Sequence, residues 1–261
     1  MANVPRWKES PPSNGIREVE LSSWKWFDSY IRREFRDCRP FIFRGQRKAS
    51  WPLEPSLDRT NKKMKTPLIP STHLQLFQRS VRGRRGQNPP QLLENEWWAL
   101  GQHYGLDTPL LDWTESPYLA LYFAFIEPRE SASDKRSVLA LSRRLVEEKS
   151  DELARAGAAQ VTRPDMVEII DPLTDDNARL VSQRGLFTRA PAGVDIETWV
   201  RTHFAGGAGW VMAKMIIPEH DGDRETCLRA LNLMNINHLT LFPDLTGATR
   251  YRNMALSIQG Y

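Results

Sequence analysis

Cysteine is nearly missing from this chain of 261 residues: only Cys38 and Cys227 occur, far apart. They match no metal or redox spacing, so both read as reduced structural thiols of a cytoplasmic protein. Long apolar runs are missing as well. The longest nearly uninterrupted one, Tyr118–Ile126, has nine residues, whereas a helix needs about 20 to cross a bilayer. Met1–Pro12 is polar and holds prolines, without the apolar core of an export signal. The expectation is a chain that neither spans a membrane nor is exported. There is no Walker-type loop, no GxGxxG, no HExxH and no GxSxG elbow. The five histidines, His73, His103, His203, His220 and His238, show no metal spacing. Internal repeats and low-complexity tracts are also lacking.

What is present is the composition of an ordinary globular protein, with 40% apolar and 26% charged residues. The length fits one domain. Nine tryptophans are expected in the core or as pocket walls, because the ring buries much apolar area and leaves one N–H to place. The net charge of +4 is mildly basic, enough to help a polyanion approach. It is unevenly spread: Arg79, Arg82, Arg84 and Arg85 crowd one segment, Lys62, Lys63 and Lys65 another. The arginine run reads either as a solvated face or as a grip on a phosphate backbone.

Residues 1–20 read as a polar arm. Ser22 or Ser23 caps a helix to about Phe35, with Trp24, Phe27, Tyr30 and Ile31 on one stripe. Phe41–Arg44 reads as a short strand ended by Gly45. Helices follow from about Thr72 to Val81 and from about Gln91 to Tyr104, the second closed by Gly105. Ser116 caps another, with Pro117 at its first position. That helix, Pro117–Phe125, is apolar nearly all round and is therefore expected to be buried. Strands are expected at Ser137–Leu141, Leu180–Thr188, Trp210–Ile217 and His238–Phe242. A helix from Arg224 to Met234, capped by Asp221 or Asp223, separates the last two. Helices first and strands later suggest an α+β fold.

Two stretches carry the chemistry, Phe41–Gln46 and Gln102–Phe125. A guanidinium at Arg44 can hold a phosphate or carboxylate through two parallel N–H bonds, and Gly45 lets a ligand approach the backbone. The alternative is an arginine paired with a carboxylate at the core edge. The stretch Gln102–Pro117 packs His103, Tyr104, Asp107, Asp112, Trp113 and Ser116 among helix ends, more hydrogen-bonding groups than a plain connection needs. Asp112, Thr114 and Ser116 share one face of an extended chain, or merely cap the apolar helix after them. His103 alone is more often structural.

On these residues the chain resembles the FRG domain family. Phe41-Ile42-Phe43-Arg44-Gly45-Gln46 carries the Phe-Arg-Gly signature. Trp51–Leu57 with Arg59, the block Gln102–Ala124, Gln183–Thr188 and Leu241–Gly247 continue the similarity in order over roughly 40–250. The organisation expected is the polar arm over 1–20 and a single FRG domain over 21–256. One departure is Asp107-Thr108-Pro109, where the family reads proline-threonine-arginine.

The family pattern in turn resembles the ADP-ribosyltransferase fold, which implies split, mostly antiparallel sheets with N-terminal and flanking helices. The resemblance implies an NAD-dependent ADP-ribosyltransferase or NAD glycohydrolase, with NAD as substrate and a role as toxin or in phage defence. Arg44 and Gln46 would hold the pyrophosphate. His103, Tyr104 and Thr114 would line the nicotinamide ribose, with Asp112 and Gln183 at the reacting carbon. Gly45, Arg59, Gln102 and Ser116 complete the binding candidates. Gln183 stands where that fold places a glutamate; it keeps the hydrogen bond and loses the charge that would stabilise a cation. The acceptor would be nucleic acid, protein or water, with no membrane partner. Two alternatives stay open. One is a non-catalytic nucleotide- or nucleic-acid-binding module. The other is a hydrolase or nuclease using Asp112, Glu115 and Asp244 around a divalent metal.

Overall fold

Largely continuous apolar runs within Phe41–Gln46, Arg136–Ser142 and Trp210–Ile217 make strands that bury both faces, and these form the middle of the sheet. The computed structural model describes residues 5–157, 165–172 and 181–261. Its described strands are β1 (Trp7–Glu9), β2 (Gly15–Leu21), β3 (Phe41–Gln46), β4 (Leu111–Thr114), β5 (Arg136–Ser142), β6 (Glu168–Ile170), β7 (Gly185–Arg189) and β8 (Trp210–Ile217). They lie in the order β1-β2-β8-β5-β3-β4-β7-β6. Every neighbouring pair is antiparallel except β2 with β8, so the sheet is mixed but mostly antiparallel and the fold is α+β.

The described helices are α1 (Phe27–Glu34), α2 (Ser56–Asn61), α3 (Pro70–Ser80), α4 (Glu94–His103), α5 (Pro117–Phe125), α6 (Arg143–Ala156), α7 (Ile196–His203), α8 (Asp223–Leu233), α9 (His238–Leu241) and α10 (Leu245–Ser257). On one face of the sheet Phe43, Val138, Ala140 and Met215 pack with α1, α5, α8 and α10. On the other, Ile42, Leu139, Leu141 and Met212 pack with α6 and α7. A third cluster joins α3 and α4 to β7 through Leu74, Trp98 and Phe187.

Several expectations are corrected. Residues 1–20 are not simply an arm: β1 and β2 belong to the sheet, and Val19 and Leu21 are fully buried in it. The strand is hard to read because charged residues, Arg17, Glu18 and Glu20, fill its other positions. Residues 238–241 form a helix rather than a strand, because the Asn237 side chain accepts the Thr240 N–H at 3.1 Å and so caps a turn. The strand expected from Leu180 begins only at Gly185; Gln183 lies in the turn before it, and Leu180 lies outside the described residues. Helix α8 starts from Gly222 in a left-handed conformation (φ 80°), and no side chain caps it. Helices α6, α7, α9 and α10 show that the second half is not mainly strands.

Helix α5 is as expected: Ser116 Oγ accepts the Leu119 N–H at 3.4 Å, Pro117 takes the first position, and seven of its residues are buried. Such a helix cannot leave its last carbonyls to water. Arg136 donates to the carbonyls of Ala124 and Glu127 at 2.8 and 2.9 Å. Arg224 donates to those of Phe125 and Ile126 at 3.1 and 2.7 Å. Arg136 is itself buried and paired with Glu219, so its charge does not go uncompensated.

Against this helix lies Gly45. A Cβ there would stand 1.9 Å from the Ala120 carbonyl oxygen and 2.6 Å from the Ala124 nitrogen. The obstacle is helix backbone, which cannot turn aside. Gly45→Ala is therefore expected to destabilise the protein by about 3 kcal/mol or more, at or above the upper end of overpacking costs. Urea unfolding checks this; a loss below about 1 kcal/mol would show that α5 can shift freely.

Candidate functional site

Strands β3 and β4 share a single pair, Phe43 with Thr114. By contrast β3 pairs with β5 from Phe41 to Gln46, and β4 with β7 from Leu111 to Thr114. The sheet opens at that seam into a cleft of about 360 Å³. Arg44 of β3, Asp112 and Thr114 of β4, and Gln183 line it, between the rings of Phe123 and Phe242. These last two come from α5 and from the residue after α9, so no local sequence signal marks them.

Arg44 bridges the seam. Its Nη1 donates to the Asp112 carbonyl at 2.5 Å and stands 3.7 Å from that residue's Oδ2. Its Nε is buried and has no hydrogen-bond partner among the described residues. Burial pushes the pKa of the guanidinium below its ordinary value and nearby Arg59 adds to this, while the Asp112 carboxylate acts in the opposite sense. A desolvated cation with an unsatisfied N–H is a docking point for an anion.

Around it the polar groups form a short chain. Thr108 Oγ1 donates to the Gln102 Oε1, and Gln102 Nε2 donates to Asp112 Oδ1 at 2.7 Å. Thr114 Oγ1 donates to the Gln183 carbonyl at 2.7 Å and accepts the Ser116 N–H at 3.2 Å. Gln183 Nε2 donates to the Leu241 carbonyl at 3.1 Å. Thus Arg44, Gly45, Asp112, Thr114 and Gln183 come together, with Gln102 behind Asp112.

Other candidates lie elsewhere. Gln46 is buried, donating to the Pro52 carbonyl at 3.3 Å and accepting from Ser137 Oγ at 3.4 Å, so it does not line the cleft. Arg59 is near enough to Arg44 to act on its charge, yet it does not line the cleft and donates to the Glu54 carbonyl. Ser116 is used as the cap of α5. His103 does not line the cleft; its ring packs edge-on against Tyr104, and Tyr104 is 76% exposed beside a different groove. Gly45 borders the cleft, yet its missing side chain makes room for α5. Pro109, where the family reads arginine, lines a separate hollow with Asp58 and Arg189.

The three acids of the metal reading do not gather. Asp112 is at the cleft, Asp244 caps α10 by accepting the Gly247 N–H at 2.7 Å, and Glu115 lines another hollow with Asp171 and Arg184. Among the described residues no group of three His, Cys, Asp or Glu could hold a metal ion. Nor is any helix among them long and apolar enough to cross a membrane.

Behind the Phe242 wall, Tyr122 OH and His238 Nδ1 share a hydrogen bond at 2.8 Å, and the His238 ring stacks on Phe242 at 5.3 Å. Burial, with help from Arg250, pushes the His238 pKa below its ordinary value. The unfolded chain then takes up a proton near pH 6.5 that the folded chain refuses, so stability falls as the pH drops below that point. His238→Gln is expected to flatten the decline in melting temperature between pH 7 and 5. An unchanged slope in that variant would assign the decline to other groups.

Residues 39–133 match the family model of the FRG domain. No curated protein and no solved structure matches the chain. The matched segment runs from just before β3 to beyond α5, and so carries Arg44, Asp112 and Thr114, whereas Gln183 and Phe242 lie outside it.

Proposed function

We propose, from the premise that residues 39–133 are an FRG domain, that the cleft binds NAD and cleaves its nicotinamide–ribose bond. The observation that carries this reading is the guanidinium of Arg44, which lines the cleft with its Nη1 on the Asp112 carbonyl and its Nε unpaired among the described residues. The side chain keeps 22% of its surface exposed, and a phosphate would accept N–H groups from that exposed part of the guanidinium. Phe123 and Phe242 offer apolar walls for a flat ring. Asp112 is the carboxylate lining the cleft, set to stabilise the positive charge that develops at the ribose carbon as nicotinamide leaves with the bonding electrons. Water or an acceptor hydroxyl then attacks that carbon and loses its proton to solvent, giving ADP-ribose free or attached. The Gln183 amide would position the ribose without adding charge. Because the Gln183 amide carries no charge where the ADP-ribosyltransferase resemblance implies a glutamate, a second reading is a module that binds the nucleotide and leaves it intact.

Calorimetric titration with NAD and an assay of released nicotinamide test both readings. Arg44→Ala is expected to weaken NAD binding between tenfold and a hundredfold, the range for losing a charge-assisted hydrogen bond of about 1.5–3 kcal/mol. Asp112→Asn is expected to bind NAD and release nicotinamide at least tenfold more slowly. Unaltered binding in a folded Arg44→Ala protein would overturn the site. Tight NAD binding without nicotinamide release would leave the binding module.

A further inference from the structure

A second, larger groove of about 480 Å³ lies between α3 and α4. Phe77, Val81 and Leu100 give it an apolar floor, Tyr104 stands at one side, and Arg84 and Arg85 at the other. The loop that carries these arginines is shaped by Gly83 and Gly86, both left-handed (φ 72° and 77°). Arg85 is held in place: its Nη2 donates to the Pro90 carbonyl at 2.9 Å and its guanidinium lies 4.6 Å above the Trp97 ring. Arg79, Arg82 and Arg84 are exposed and enter no ion pair among the described residues. Some other exposed arginines do pair, as Arg32 with Asp28, Arg39 with Asp37 and Arg144 with Glu148; what sets this segment apart is that its unpaired arginines are crowded together beside a groove. No carboxylate among the described residues lines the groove. Among them a concentrated positive charge thus stays uncompensated beside a 76% exposed aromatic ring.

We propose that this groove binds single-stranded nucleic acid, with a base stacked on Tyr104 over the apolar floor and the adjoining phosphates on Arg82 and Arg84. Unpaired guanidiniums beside an exposed ring fit a polymer that alternates phosphate and flat base. An acidic peptide would satisfy the charges and leave the ring and floor unused. A duplex keeps its bases stacked inside and could not reach the floor. The site stands independently of NAD cleavage.

Fluorescence anisotropy on the full chain with a labelled 12-nucleotide single strand, as DNA and as RNA, tests the proposal against the same sequence in duplex form. The single strand is expected to bind more tightly than the duplex. Tyr104→Ala should weaken it roughly tenfold, within the usual range for one base–aromatic stack, without changing the salt dependence. Arg82→Ala with Arg84→Ala should lower the slope of log affinity against log salt by about 1.4, two phosphate contacts on a single strand. All three side chains are exposed, so thermal melting should be unchanged. Duplex affinity equal to single-strand affinity, binding indifferent to Tyr104→Ala, or equal binding of a labelled polyglutamate peptide would overturn the proposal.

Discussion

Helix α5 is buried at seven of its nine residues, and its backbone rests directly on β3. Close packing of a helix on a strand is possible only where a side chain is missing, and Gly45 is that place. That burial also removes water from both helix ends. The N-terminal end is served by Ser116, while the C-terminal carbonyls draw on guanidiniums from β5 and α8. The buried pair Arg136–Glu219 is a consequence of that need, since a cation placed to cap a buried helix must itself be neutralised.

The same contact shapes the cleft. With α5 pressed on β3, the strand stays paired with β5 while β4 stays with β7, and one strand pair alone crosses the seam between them. Arg44 spans that gap and makes with its side chain a link that backbone pairing does not supply. It thus has a structural partner in the Asp112 carbonyl, while its side chain stays partly exposed at the cleft. The Phe-Arg-Gly triplet has one physical sense throughout: Phe43 anchors the strand in the core, Gly45 admits the helix, and Arg44 faces what remains open between strands.

Polar residues in the later blocks take on similar duties. Asp244 and Gly247 belong together because the aspartate caps α10 through the glycine N–H, and a Cβ on Gly247 would stand 1.9 Å from the Phe242 carbonyl oxygen. Thr114 spends its hydroxyl on the Gln183 carbonyl and so ties β4 to the turn before β7. In each case a residue that looks reactive in isolation is first a solution to a buried hydrogen-bonding requirement.

What the sequence determined by itself is local. Ser116-Pro117 opened a helix, the unbroken apolar run declared it buried, and Phe41–Gln46 made a strand, because capping chemistry and side-chain periodicity act over a few residues. The α+β class and the pairing of Arg44 with the Asp112–Thr114 segment in one site were also within reach. Only the tertiary structure decided which face each polar group serves: Gln46 inward to Pro52, Tyr104 out to a separate groove, Gln183 in a turn, and Phe123 and Phe242 as walls. It also drew residues 7–21 into the sheet and turned 238–241 into a helix. Those outcomes rest on contacts between segments far apart in the chain, whose energies no local pattern carries.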